Sequence, residues 1–205
     1  MISNPSTSDS AQVKITIGAS TYGPYGIAPG QTTAESYNIG ASGPVSLTAT
    51  KTDGVTPISV IATQRVLFGP SFEEVPGLAA SLTGAFNALG SDYNWGWYDQ
   101  QSPGSYNWVM IANPNAQAVH YEVYVAGQLK EQDRYGGVSN SPIPAGAYVA
   151  SSFPGLIGGP VEVKSCSAQF DSNGNCPDTN PPKVIASQRQ LWNGYFNEVW
   201  GQVVK

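Results

Sequence analysis

Two stretches of this chain repeat each other and decide how it folds. Residues 61–77 read I-A-T-Q-R-V-L-F-G-P-S-F-E-E-V-P-G, and residues 185–201 read I-A-S-Q-R-Q-L-W-N-G-Y-F-N-E-V-W-G. Nine of the 17 positions are identical at a constant offset of 124 residues, which is too many for chance. Self-similarity at a fixed offset is typical of a repeated structural unit. The sequence therefore predicts two copies of one module.

Shorter matches upstream occur in the same order in both halves. They pair residues 2–5 with 111–114, 27–30 with 143–146, and 43–47 with 159–163. The offset grows from 109 to 116 and then to 124 residues, which indicates loop insertions in the second copy. The last of these insertions contains both cysteines of the chain.

Apolar and polar residues alternate along the segments between these matches. Residues 13–17 read V-K-I-T-I, residues 119–125 read V-H-Y-E-V-Y-V, and residues 161–164 read V-E-V-K. A period of two predicts half-buried strands, and the Gly, Pro, Asn and Ser clusters between them predict turns. We therefore expect an all-β fold of two tandem antiparallel β-sandwich modules, immunoglobulin-like, with about seven strands each.

The predicted boundaries are module 1 at residues 1–77, a connector at 78–92 and module 2 at 93–205. Apolar residues at helical spacing between 78 and 89 predict that the connector is a short helix or an irregular link, although Gly84 weakens the helical prediction. Module 1 has no counterpart of residues 93–110, which we expect to open module 2 as a hairpin. Without it, module 1 exposes a sheet edge or an apolar groove. Three explanations remain open: a cut from a longer repeat array, a natural terminal variant, or a strand supplied by another chain.

Composition excludes several classes of protein. Charged residues make up 11% of the chain, net charge is −5, and the nine basic residues form no cluster. A nucleic-acid binder needs a basic stripe, so that function is excluded. No apolar run reaches the roughly 18 residues of a membrane span, and residues 1–5 do not resemble a signal peptide. We expect either that a signal was removed or that the chain is a piece of something longer.

Cys166 and Cys176 flank a polar, turn-rich loop. A disulfide across this loop is the simplest prediction and implies an oxidising compartment, with two free thiols as the alternative.

Four groups of residues are candidate sites. Arg65 and Arg189 each precede a glutamate, Glu74 and Glu198, by nine residues, which predicts a recurring structural ion pair, with a paired ligand site as the alternative. Asp171, Asn173, Asn175 and Asp178 resemble the start of a calcium loop, but the glycine and the final glutamate of such a loop are misplaced, so we expect a turn and no metal.

Aromatic residues are concentrated around the start of module 2. The candidate sugar platform consists of Tyr93, Trp95, Trp97, Tyr98 and Trp108. The alternative is that these rings fill the core of module 2 and its contact with module 1.

Catalytic chemistry has little support in the sequence. The only histidine, His120, lies in the middle of a predicted strand, and no nucleophile motif accompanies it. We expect no enzyme activity and no cofactor.

Several of these motifs resemble a repeat family of bacterial cell-surface and secreted proteins. The matching segments are residues 107–114 (N-W-V-M-I-A-N-P), 145–146 (A-G), 159–161 (G-P-V) and 184–189 (V-I-A-S-Q-R). The resemblance implies tandem β-sandwich modules outside the cell, often appended to other domains, and it implies no catalytic residue.

The expected function is a non-enzymatic structural or adhesive module at a bacterial cell surface. Two alternatives are a carbohydrate-binding module that uses the exposed aromatics, and a subunit of an extracellular filament assembled by strand exchange. The partners we expect are a surface glycan or neighbouring copies of the chain, with no nucleic acid and no membrane insertion.

Overall fold

A computed structural model of the chain describes residues 1–37, 43–69, 71–77 and 89–204. Over these residues the protein is all-β, as predicted, and its strands pair in antiparallel fashion. A single 3-10 turn at Tyr135–Gly137 is the only helical element of the described residues. Residues 78–88, where the sequence predicts a helical connector, lie outside the described residues.

The chain divides into two compact units. One consists of Met1–Val66 and Glu74–Gly77, and the other of Leu67–Glu73 and Leu78–Lys205. Part of the predicted connector belongs to strand structure, because Gly90 bridges to Val184 and a strand begins at Asp92.

The first seven strands form two sheets, in the orders β4-β1-β6-β7 and β3-β2-β5. They are β1 (Ile2–Ser3), β2 (Ala11–Ile17), β3 (Ser20–Ile27), β4 (Thr32–Thr33), β5 (Val45–Lys51), β6 (Ile61–Phe68) and β7 (Ser71–Pro76). Alternation along β2 turns Ala11, Val13, Ile15 and Ile17 inward, where they are buried, while the residues between them face outward.

The remaining eleven strands form three sheets, in the orders β13-β10-β16-β17, β12-β11-β15-β8-β18 and β14-β9. The first six are β8 (Asp92–Trp95), β9 (Tyr98–Asp99), β10 (Ser105–Ala112), β11 (His120–Val125), β12 (Gln128–Gln132) and β13 (Tyr148–Ser151). The last five are β14 (Ile157–Gly158), β15 (Val161–Cys166), β16 (Ile185–Trp192), β17 (Tyr195–Trp200) and β18 (Gln202–Val203).

The prediction that residues 93–110 form a hairpin is wrong. Strand β8 pairs with β15 and β18, whereas β10 pairs with β13 and β16, so the two strands belong to different sheets. Between them, the Tyr98 side chain is fully buried and the short strand β9 pairs with β14. The segment that contains Tyr98 therefore connects the two sheets, and β8 and β10 do not pair with each other.

The matched stretches of sequence have matched strand partners. Ile2 lies opposite Thr33 and Ala62, and Ile111, which matches Ile2, lies opposite Val149 and Ala186. These partners are related by the offsets 116 and 124 that the sequence shows. The pairing of β2 with β5 likewise corresponds to that of β11 with β15: Ile17 faces Val45, and Val125 faces Val161.

A buried asparagine follows the matched strand in each unit. The side-chain amide of Asn4 donates to the carbonyls of Asp9 (2.8 Å) and Ile27 (3.0 Å), and the backbone N–H of Ser6 donates to its Oδ1. The amide of Asn113 donates to the carbonyls of Gln117 (2.8 Å) and Ile143 (2.9 Å), and the backbone N–H of Asn115 donates to its Oδ1.

The backbone around each asparagine repeats the pattern. Asn4 donates to Gln31 and accepts from Gly30, while Asn113 donates to Ala147 and accepts from Gly146. Both asparagines are almost completely buried, so each bond replaces one that water would otherwise make. Each asparagine therefore fixes a strand to the turn that leads into the next one.

We predict that Asn113→Ala lowers the free energy of unfolding by about 2–4 kcal/mol, because it leaves buried carbonyls without a donor. Denaturant unfolding followed by tryptophan fluorescence measures the loss. Asn197→Ala, at an exposed position, is the matched control and should change stability by less than about 0.5 kcal/mol. Equal effects of the two substitutions would show that the buried amide is not a structural anchor.

Candidate functional site

Most of the aromatic side chains predicted as a sugar platform lie in the core. Tyr93, Trp95 and Tyr98 are buried, and the rings of Tyr93 and Trp95 stack with centroids 6.2 Å apart. The Tyr93 hydroxyl donates to the carbonyl of Val184 (2.6 Å), and Trp95 Nε1 donates to the carbonyl of Val199 (3.2 Å). Burial raises the pKa of Tyr93 and of Tyr98 to about 12. These three side chains are not available to a ligand.

Two aromatic rings of this segment remain on the surface. Trp97 is 58% exposed and Tyr106 is 54% exposed. Trp108 is half-buried, and its ring stacks on that of Tyr106 with centroids 6.3 Å apart. Of the five residues predicted to bind sugar, Trp97 and Trp108 are therefore the two that solvent reaches.

The arginine and glutamate residues of the repeated stretches are in contact in both units. Arg65 Nη2 lies 2.8 Å from Glu74 Oε2, and Arg189 Nη2 lies 2.8 Å from Glu198 Oε2. Arg189 and Glu198 face each other across the hairpin of β16 and β17. The Arg65 side chain is 47% exposed, so the pair lies on the outer surface of the sheet. The guanidinium of Arg65 holds the pKa of Glu74 below its usual value.

A hydroxyl completes each of these ion pairs, and our reading of the sequence missed it. Thr63 Oγ1 donates to the second oxygen of Glu74 (2.7 Å), and Ser187 Oγ donates to the second oxygen of Glu198 (2.6 Å). Thr63 and Ser187 occupy the same position of the repeat, so the shared hydroxyl was a signal that could have identified the contact. Both carboxylate oxygens thus bind groups of their own hairpin.

The glutamine before each arginine differs between the units. Gln188 is buried, and its amide donates to the carbonyl of Trp97 (2.9 Å) and to Asn107 Oδ1 (3.0 Å). Gln64, at the matching position, is exposed. The two residues that hold Gln188 lie within residues 93–110, for which the first unit has no sequence counterpart.

The predicted disulfide between Cys166 and Cys176 is present. In the loop that it closes, Asp171 Oδ1 accepts from the backbone N–H groups of Asn173 and Asn175, both at 2.8 Å. Asp178 Oδ2 accepts from the backbone N–H of Ser167 at 2.7 Å. Hydrogen bonds from Asn175, and then from Asn173, lower the pKa of Asp171, and hydrogen bonds from the side chain and backbone of Ser167 lower the pKa of Asp178.

The two carboxylates of the calcium candidate, Asp171 and Asp178, therefore accept bonds from backbone groups of the loop. Within the described ranges, the one group of three potential metal ligands is Cys166, Cys176 and Asp178. Its two sulfurs are bonded to each other, so they are not thiolates that could bind a metal.

The disulfide loop covers a carboxylate on strand β11. Glu122 is buried, and it accepts a bond of 2.6 Å from the Tyr124 hydroxyl. Gly174 lies against both groups: a Cβ at this position would lie 2.4 Å from the Tyr124 hydroxyl. Burial raises the pKa of Glu122. Alternation along β11 does not distinguish this buried carboxylate from an exposed one, because the loop that covers it is distant in sequence.

His120 belongs to a polar network that our reading of the sequence also missed. Its Nδ1 lies 2.7 Å from Asp133 Oδ2, and the other oxygen of Asp133 accepts from the backbone N–H of Tyr121 (2.9 Å). The Tyr121 hydroxyl donates to Glu131 Oε1 (2.7 Å). Burial, and then the bond to Glu131, raises the pKa of Tyr121. The network ties the residue that follows β12 to strand β11.

Two open clefts lie on the second unit. The larger, of about 510 Å³, is lined by Glu131, Arg134, Tyr135 and Tyr148 among others. The smaller, of about 260 Å³, lies between the disulfide loop and β15. Both are open to solvent.

Comparison with known proteins gives no match: neither a family model, nor a curated protein, nor a solved structure is similar to this chain. No helix among the described residues is long and apolar enough to cross a membrane.

The two tryptophans that flank Gly96 should respond very differently to truncation. We predict that Trp95→Ala costs about 3–5 kcal/mol of unfolding free energy, because it opens a cavity in the core. Trp97→Ala, at an exposed position, should cost about 0.5 kcal/mol or less. Thermal unfolding of both variants measures the difference, and similar losses would contradict the placement of the two rings.

Glu122→Gln should stabilise the protein increasingly as pH rises. Burial raises the pKa of Glu122 in the folded state, so the folded protein holds this proton more tightly than the unfolded chain does. The wild type therefore loses stability as pH rises from the unfolded value of about 4.3 through the folded pKa, and the variant does not. Urea unfolding at pH 4 and pH 7 measures this difference.

Tyr124→Phe is the companion variant for the same test. It removes the hydroxyl that stabilises the Glu122 carboxylate. Tyr124→Phe should therefore lose more unfolding free energy between pH 4 and pH 7 than the wild type does. A constant difference between Glu122→Gln and the wild type at both pH values would contradict the raised pKa.

Proposed function

We propose that this chain is a non-enzymatic structural or adhesive module of a bacterial extracellular surface protein, made of two tandem immunoglobulin-like β-sandwiches. The observation that carries the proposal is the repeated asparagine anchor. Asn4 and Asn113 bind equivalent carbonyls, and the strands around them have corresponding partners. Two copies of one sandwich, each held by the same buried amide, are suited to a structural role as spacer modules between other domains.

The use of polar side chains supports a structural role. The carboxylates of Glu74 and Glu198 each bind an arginine and a hydroxyl of the same hairpin. Asp133 binds His120 and a backbone amide, and Asp171 binds amides of its own loop. Groups committed to internal contacts in this way shape the fold and are poorly placed to turn over a substrate.

Two features support a place outside the cell. Disulfides such as Cys166–Cys176 form and persist mainly in oxidising compartments. The low proportion of charged residues leaves Thr, Ser, Gln and Asn to cover the outer strand faces, as in the extracellular repeat modules that the sequence resembles.

Carbohydrate binding is a second candidate, because Trp97 and Tyr106 are each more than half exposed. Exposed aromatic rings on a β-sandwich can stack on sugar rings. A glycan array with the wild type and with Trp97→Ala tests this candidate. Binding that the substitution abolishes supports it, and the absence of binding in the wild type rejects it.

Stretching single molecules tests the structural proposal. With the disulfide intact, we expect two separate unfolding events. At about 3.6 Å per extended residue, residues 1–77 release roughly 28 nm of chain, and residues 93–205 without the disulfide-closed loop release roughly 37 nm. Reduction should lengthen only the larger event, by roughly 4 nm, because the residues between Cys166 and Cys176 are then released.

A variant with Cys166→Ser and Cys176→Ser is the control, and its larger event should not depend on reductant. One unfolding event for the whole chain would contradict two modules. Unfolding at forces too low to measure would contradict a structural role.

A further inference from the structure

Within the described ranges, strand β5 lies at the edge of its sheet, and its outer side is incompletely paired. Ile58 N–H donates to the carbonyl of Ala49 (3.2 Å), and Lys51 N–H donates to Thr56 (2.7 Å). The backbone groups of odd-numbered residues in β5 therefore point away from β2. Val45 and Leu47 have the same orientation, and no strand among the described residues pairs with them on that side.

The same edge is covered in the second unit. Val161 and Val163, which match Val45 and Leu47, lie opposite Trp95 and Tyr93 of β8. Both valines are fully buried, whereas Val45 is 43% exposed and Leu47 is half-buried. Where β8 is present, it completes the sheet and brings two aromatic rings to the core.

A glycine makes room for these rings. A Cβ at Gly201 would lie 2.6 Å from the ring of Trp95 and 2.7 Å from the ring of Tyr93. Gly77 is the matching residue of the first unit, and the three atoms nearest to a Cβ there all belong to Ala62, the first of them its carbonyl oxygen at 3.0 Å. Glycine therefore occupies both positions of the repeat, and in the second unit the rings of Tyr93 and Trp95 lie against it.

The glutamines point to the same difference. Gln188 binds the carbonyl of Trp97, which follows β8, and its counterpart Gln64 is exposed. In the second unit, the edge of β15, Gly201 and the amide of Gln188 all contact residues 93–97. The first unit has the counterparts of all three.

We propose that the outer edge of β5 binds an extended segment of another polypeptide chain that has aromatic residues at alternate positions, like Tyr93 and Trp95. The segment would add antiparallel to Val45 and Leu47, as β8 does to β15, and its rings would pack beside Gly77. Backbone hydrogen bonds give such strand addition its affinity, and alternate side chains give it specificity. The proposal rests on the proposed function, since it treats the two units as copies.

A second copy of this protein is a poor source of the strand. Its own Tyr93 and Trp95 are buried and bonded to Val184 and Val199. If β8 of one copy paired with β5 of another, it would leave β15 of its own second unit. The hydrogen bonds gained at β5 would only replace those lost at β15. A separate polypeptide with a free aromatic segment has no such cost.

The test uses the whole protein and a synthetic peptide of residues 89–98, L-G-S-D-Y-N-W-G-W-Y. Amide hydrogen exchange, followed by NMR, should show fast exchange at Val45 and Leu47 in the free protein. Saturating peptide should slow both at least 10-fold. A control peptide with serine in place of Tyr93 and Trp95 should leave both rates unchanged.

Two substitutions test the mode of binding. Leu47→Pro removes the outward N–H, which an edge strand tolerates, and should weaken peptide binding at least 10-fold. Leu47→Val keeps that N–H and should bind within threefold of the wild type. If Leu47→Pro fails to fold, the exchange rates of the wild type decide the question alone.

Four outcomes would overturn the proposal. Protection of Val45 and Leu47 in the free protein at low concentration would show that the chain covers its own edge. Protection that appears only as protein concentration rises would identify a second copy as the occupant. Equal binding of the control peptide would show that the edge does not select aromatic residues. No binding of either peptide would show that the edge does not bind such a segment. None of these outcomes affects the two unfolding events expected under force, so failure of this inference is distinguishable from failure of the proposed function.

Discussion

A buried asparagine amide organises each unit of this protein. Asn4 and Asn113 each follow a strand, and each binds the carbonyl that ends a neighbouring segment, at Ile27 and Ile143. An amide that is removed from water must find partners inside the protein, and a turn that has lost its asparagine leaves those carbonyls unpaired. The registers of the surrounding strands are compatible with these bonds, and a slip of one residue would reverse the inward and outward faces.

The two units differ mainly in how their sheet edges are covered. In the second unit, β8 completes the sheet of β11 and β15, and β18 then pairs with β8. In the first unit, β5 is the last strand of the corresponding sheet among the residues that the structure describes. An exposed strand edge invites pairing with another strand, so this difference concerns interaction as well as stability. Equivalent residues acquire different surroundings for the same reason, as the exposed Gln64 and the buried Gln188 show.

Local patterns in the sequence were sufficient for the all-β class, the disulfide and the partners of Arg65 and Arg189. The alternation of apolar and polar residues predicts the strands, and the repeat at a constant offset of 124 residues predicts the two arginine–glutamate pairs. The sequence was less informative where distant segments meet. The covering of Glu122 by the disulfide loop, and the placement of β8 and β10 in different sheets, depend on which faces become buried, and neither leaves a periodic pattern. The bond of His120 to Asp133 joins strand β11 to the residue that follows β12, and in the sequence both residues resemble ordinary solvent-facing ones.

The most direct test of this account is the exchange of the side-chain amide protons of Asn4 and Asn113, measured by NMR in the intact protein. If both units are built around the same buried amide, both pairs of protons should exchange at least about 100-fold more slowly than in an unfolded peptide. Exchange of either pair at the unfolded rate would show that its unit is held in another way, and would contradict the equivalence of the two units.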